Sequence, residues 1–148
     1  MRQRNQILTA SNIKYLLAIS SLSCDHGGIR CVNVANALGI TKPSVHTMIN
    51  TLCAMNLATK AKYGTVQLTP EGESLAALYR QYYTIVRSHL EDTLFLSAEQ
   101  AKSIAFLLLA EIPETELRTM CQSIVGLTAR LKLSSLLDAQ QTPTQSAI

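Results

Sequence analysis

Between Ala35 and Gly72 the chain reads ANALGITKPSVHTMINTLCAMNLATKAKYGTVQLTPEG, and the repeated changes of period within this stretch leave few ways to fold it. Val32, Ala35 and Leu38 fall at helical spacing, and Gly39 closes that helix because glycine reaches a left-handed C-cap without steric cost. After Ile40, Thr41 stands as N-cap to a second helix with Pro43 in its first turn, where a missing N–H leaves no bond unmade. Val45, Met48, Ile49 and Leu52 recur at i, i+3, i+4 and i+7, so one face packs inward while Lys42, Ser44, His46, Thr47, Asn50 and Thr51 face out. Leu57 to Lys62 then alternates apolar and polar, Tyr63-Gly64 supplies a turn, and Thr65 to Leu68 returns with the same period of two. Thr69-Pro70-Glu71 restarts a helix with an N-cap, a proline at the first helical position and an acid where the helix dipole favours it. Helix, tight turn, helix, β-hairpin and helix in this order predict a mainly α chain built on a winged helix-turn-helix.

The outward face of the second helix is small, polar and free of acids. A helix that enters a major groove needs short hydrogen-bonding groups for base edges and no carboxylate against phosphate. Thr41, Lys42, Ser44, His46, Thr47 and Asn50 are therefore the expected DNA-contacting residues, with Lys60 and Lys62 of the hairpin set against the phosphates. Double-stranded DNA is the expected partner. A winged helix that binds an acidic protein through the same face is the alternative from another class.

Charge divides along the chain in the same way. From Met1 to Thr69 the basic residues Arg2, Arg4, Lys14, Arg30, Lys42, Lys60 and Lys62 face the single acid Asp25, a net of +6. From Pro70 onward six basic residues meet nine acidic ones, a net of −3, so the whole-chain value of +3 conceals a basic half and an acidic half. Only the first half suits a polyanion.

The second half reads as helix throughout. Leu75, Leu78, Tyr82, Ile85, Val86 and Leu90 mark a long helix from Glu71 to about Leu94. Ser97 and Gln100 form a capping-box pattern for the next, whose Ile104 to Ile112 segment is apolar nearly all round. With 148 residues there is little interior to bury such a helix, so a two-fold homodimer is expected. Beyond Pro113, one helix is expected over Glu114 to Gln122 and another over Leu127 to Leu137. The expected division is residues 1–70 as the DNA-binding domain, 71–137 as the helical dimerisation domain and 138–148 as a disordered tail.

The N-terminus lacks a signal-peptide pattern and the longest apolar run, Ile104 to Ala110, falls far short of the ~20 residues of a membrane helix, so a cytoplasmic protein with no membrane partner is expected. The four cysteines form no C-x-x-C pair. Cys24, Asp25, His26 and Cys31 match no zinc spacing. No phosphate-binding glycine loop and no nucleophile-base arrangement points to an enzyme.

Lys14-Tyr15 in the first helix, Thr-x-Pro-Ser-Val-x-x-Met from Thr41 to Met48, and Leu-Thr-Pro-Glu-Gly from Leu68 to Gly72 together resemble the DtxR/MntR family of metal-dependent repressors. The resemblance runs from about Asn12 to Met120, and the length is similar to that of the short branch without an SH3-like domain. MarR-like winged regulators, which share the Leu-Thr-Pro-Glu-Gly ending, are the second resemblance. Membership would imply a repressor gated by Mn²⁺ or Fe²⁺. By register the family's ligand positions fall on Lys14, Leu17, Tyr83, Arg87, Phe106, Leu109 and Ala110, which are cationic, aromatic or aliphatic. No metal and no other cofactor is therefore expected, and His89, Glu91, Asp92 and Glu111 read as a solvated helix end rather than as a replacement site. Two readings of the substituted positions stay open: a regulator fixed in one state, or a pocket for an apolar small-molecule effector lined by Leu17, Tyr83, Phe106 and Leu109.

Overall fold

A computed structural model describes residues 7–23 and 27–140 and, within them, every side chain except that of Lys62. Arg2, Arg4, Cys24, Asp25, His26 and the tail from residue 141 lie outside the described residues. The order is α1 (Ala10–Leu22), β1 (Ile29–Arg30), α2 (Cys31–Leu38), α3 (Lys42–Ala54), β2 (Ala58–Ala61), a 3₁₀ turn (Lys62–Gly64), β3 (Thr65–Leu68), α4 (Pro70–Leu94), α5 (Ala98–Glu111) and α6 (Glu114–Gln140). This is the winged helix-turn-helix, followed by three further helices.

The local signals act where the sequence placed them. Gly39 ends α2 at φ 65°, and Ile40 N–H closes on the Ala35 carbonyl at 3.0 Å. Thr41 is the N-cap residue of α3, although its hydroxyl pairs with Ser44 Oγ at 2.9 Å rather than with the backbone. Thr69 caps α4 by accepting from Gly72 N–H at 3.0 Å, and Ser97 with Gln100 completes a reciprocal capping box on α5.

The wing departs from the expected hairpin in three ways. Its sheet has three antiparallel strands in the order β1-β3-β2, with Ile29 opposite Val66 and Ala58 opposite Leu68. The two-residue β1 carries too little pattern to be read from sequence. Strand pairing begins at Ala58 rather than Leu57, because Asn56 turns the chain at φ 60°. Leu57 then uses its N–H on the Leu52 carbonyl and its carbonyl on Thr69 N–H. Pairing ends at Ala61, so the backbone at Lys62 opens the turn rather than extending the strand.

The two helices expected over Glu114–Gln122 and Leu127–Leu137 are one, α6, which runs unbroken through Gly126 to Gln140. Glycine costs a helix interior only about 1 kcal/mol relative to alanine, too little to break it without a proline or a capping partner. Residues 138–140, placed with the tail by the sequence pattern, are its last turn.

One continuous core joins both halves. Ile13, Leu16 and Ile19 of α1, Val45, Ile49 and Leu52 of α3, Val66 of β3, Val86 of α4, Leu109 of α5 and Leu117 of α6 are all fully buried in the same cluster. Arg80 of α4 donates to the Leu17 carbonyl at 3.4 Å and to Ser21 Oγ at 3.1 Å, tying the long helix to α1. At the start of α6, Tyr82 O–H donates to Glu114 Oε1 at 2.6 Å and Arg118 donates to the same oxygen at 2.8 Å. The Tyr82 bond, more than the arginine, holds the Glu114 carboxyl below its usual range.

Candidate nucleic-acid interface

The inner stripe of α3, Val45, Ile49 and Leu52, is fully buried and fixes the rotation of the helix. Thr41, Lys42, Ser44, His46, Thr47 and Asn50 are consequently all exposed on its outer side. Their hydrogen-bonding capacity is not equal. Thr47 Oγ1 donates to the Pro43 carbonyl at 3.1 Å, leaving its lone pairs to accept, and the Thr41 and Ser44 hydroxyls share one bond. Lys42 and His46 make no side-chain hydrogen bond among the described residues.

A link absent from the sequence pattern joins α3 to the wing: Lys60 Nζ donates to Asn50 Oδ1. The bond occupies the acceptor of Asn50 and leaves its NH₂ free to donate. It also holds a lysine of β2 beside the exposed face of α3, so cation and helix present one surface. From Gly27 to Pro70 the chain contains no Asp or Glu and carries Arg30, Lys42, Lys60 and Lys62. A surface of short donors and cations without carboxylates suits phosphate and base edges.

Of the seven positions that the resemblance set on a metal site, four come together. Lys14 Nζ sits 5.1 Å above the Phe106 ring, Tyr83 stacks on Phe106 at 4.7 Å and 27°, and Arg87 lies 6.0 Å from the Tyr83 ring. This column runs Lys14, Phe106, Tyr83, Arg87, across α1, α5 and α4. Leu17 and Leu109 are buried and Ala110 is half-buried. Arg87 donates to Glu91 Oε1 at 2.7 Å, and this bond is the chief reason its guanidinium holds its proton more firmly than usual. An ammonium, an arene, a phenol and a guanidinium do not fit a hard divalent cation, which needs converging carboxylate or imidazole donors. Among the described residues no three His, Cys, Asp or Glu side chains converge.

Of the four residues expected to line an apolar pocket, Leu17, Phe106 and Leu109 are buried, and Tyr83 stacks on Phe106. A cleft of about 500 Å³ opens between α1 and α3, lined by Ser11, Lys14, Tyr15, Leu38, Ile40, Ser44, Thr47 and Met48. No helix among the described residues is long and apolar enough to cross a membrane.

Comparison with known proteins places this geometry. No protein-family model matches the chain. Over 76 residues, 51% of the chain, it is 36% identical to the transcriptional regulator MntR of Salmonella typhimurium, and those residues are 48% of that protein. The chain thus spans about half the length of the curated relatives it matches. Among solved structures, that of the manganese regulator SloR superposes with a TM-score of 0.66 at 21% identity, covering 76% of this chain and 53% of that one. The structure of ScaR with bound Zn²⁺ gives 0.60 at 20%, covering 76% and 53%. The resemblance to DtxR/MntR-type regulators drawn from the Thr41–Met48 and Leu68–Gly72 motifs is borne out, and the relatives are regulators rather than enzymes. One expectation is overturned. Relatives named for manganese or solved with Zn²⁺ point to a metal cofactor rather than to none.

Proposed function

We propose that this chain is a DNA-binding transcriptional regulator of the DtxR/MntR type, sequence-specific, homodimeric and acting as a repressor. The observation that carries the reading is the exposed, acid-free face of α3 joined to the wing by the Asn50–Lys60 bond. Lys42, Ser44, His46, Thr47 and the Asn50 amide approach base edges, while Lys60 and Lys62 meet the sugar-phosphate backbone. Apolar surface left open in the single chain supports the dimer. Leu107 on α5 and Leu131, Leu133 and Leu136 on α6 are each more than half exposed, and a second copy related by a two-fold axis covers such helices.

A metal belongs to this reading, since SloR is a manganese regulator and ScaR is solved with Zn²⁺. The Lys14–Phe106–Tyr83–Arg87 column offers it no fitting donors.

Lys60→Ala combined with Lys62→Ala tests the interface. Fluorescence anisotropy on a labelled 30-base-pair duplex, titrated across salt concentrations, is expected to show weaker binding on every sequence and a shallower salt slope, by about one to two ions per protomer. An unchanged slope would remove the wing from the interface. Binding that ignores salt in the unsubstituted protein would favour a protein partner instead.

A further inference from the structure

The cleft between α1 and α3 has a chemistry that neither the core nor the exposed face of α3 requires. At about 500 Å³ it is the size of a site for a small organic molecule, and both helices that wall it lack acids. Lys14 supplies its cation. No carboxylate pairs with that ammonium among the described residues, and its contact with the Phe106 ring, 5.1 Å away, engages the charge without taking up all of its N–H donors.

Tyr15 supplies a second anchor. The residue is only 7% exposed, yet its hydroxyl makes no hydrogen bond among the described residues. Among those residues no sealed side-chain oxygen or nitrogen is left without a partner, so this oxygen reaches open space, and the open space that Tyr15 lines is the cleft. A buried ring thus holds an unpaired O–H donor at the cleft wall, next in the chain to an unpaired ammonium. Leu38, Ile40 and Met48, each half-buried against the core, add an apolar lining.

We propose that this cleft binds a small carboxylate with an apolar body, and that the ligand competes with DNA. The Lys14 ammonium and the Tyr15 O–H hold the carboxylate, and the apolar body lies on Leu38, Ile40 and Met48. The competition rests on the DNA-binding reading above. Ser44 and Thr47 line the cleft and also stand on the exposed face of α3, so a ligand seated there covers two of the residues that approach base edges. Its negative charge also opposes the phosphates.

Isothermal titration calorimetry of the full chain with naphthoate, and with its neutral amide, tests the site. The acid is expected to bind in the millimolar range or tighter, and about tenfold more tightly than the amide. Tyr15→Phe keeps the buried ring and is expected to weaken naphthoate about tenfold, with the melting temperature of the ligand-free protein unchanged. Lys14→Met is expected to bring acid and amide to equal affinity. Saturating naphthoate is expected to lower the affinity for a labelled duplex about tenfold, and the duplex to lower naphthoate affinity by the same factor. Absence of naphthoate binding, equal affinity for acid and amide in the unsubstituted protein, or undiminished binding by Tyr15→Phe would overturn the site. Duplex and naphthoate bound together without mutual weakening would overturn the competition. A protein that binds naphthoate but no duplex would overturn the DNA-binding reading and the competition with it, while upholding the site.

Discussion

Gly72→Ala is expected to destabilise the fold by about 3 kcal/mol or more, the upper range for overpacking a buried site. Gly72 is buried in the first turn of α4, directly against the loop that links α3 to β2. A methyl group there would stand 2.0 Å from the Leu57 carbonyl oxygen and 2.9 Å from its carbon. Neither is a flexible side chain that swings aside. The same carbonyl accepts the Thr69 N–H at 3.0 Å, so moving it also breaks the entry into α4. Gly126 provides the control: it too lies in a helix, but an added methyl meets nothing within 4 Å. Gly126→Ala is expected to be neutral or to stabilise by up to about 1 kcal/mol, the helix-propensity difference. Urea unfolding of both variants measures the contrast in the midpoint. Equal midpoints for the Gly72 variant and the unsubstituted protein would mean that α4 does not press on the loop between α3 and β2.

Phe106→Ala is expected to cost about 3–5 kcal/mol, as for other buried aromatic truncations. Its ring is 6% exposed and is the common member of the column, stacked on Tyr83 and covered by the Lys14 ammonium. Its loss leaves a cavity where α1, α4 and α5 meet. Phe106→Leu keeps most of the volume and is expected to cost under about 1.5 kcal/mol plus the stacking lost with Tyr83. Lys14→Met removes only an exposed cation over an arene, worth about 0.5–1 kcal/mol. Thermal unfolding of the three variants is expected to rank them in that order. A Phe106→Ala loss no larger than that of Lys14→Met would mean that the column does not join the helices.

The sequence made the repeating parts of this fold readable and missed the parts that depend on single contacts. The i, i+3, i+4, i+7 stripe of α3 and the caps at Thr69 and Ser97 act locally, so their residues announce them. Strand β1 escaped because two residues carry no period, and Val34, fully buried on α2, was passed over in favour of its half-buried neighbour Val32. The break expected between Gln122 and Leu127 does not occur, because the low helix propensity of Gly126 alone does not stop α6. The exposed residues of α3 follow from its stripe, whereas the Asn50–Lys60 bond requires knowing how the wing folds back. Lys14, Phe106, Tyr83 and Arg87 meet across three helices, a juxtaposition that spacing along the chain does not show. The inference from them to a chain without a cofactor went further than side-chain identity allows, because the relatives are metal regulators.

Selection of bound sequences from a pool of random 30-base-pair duplexes, with Mn²⁺ present, tests the central claim most directly. A homodimeric, sequence-reading regulator is expected to enrich an inverted repeat whose half-sites lie about one helical turn, ~10 base pairs, apart. A pool that remains unenriched after successive rounds, or that is not retained even at low salt, would contradict it.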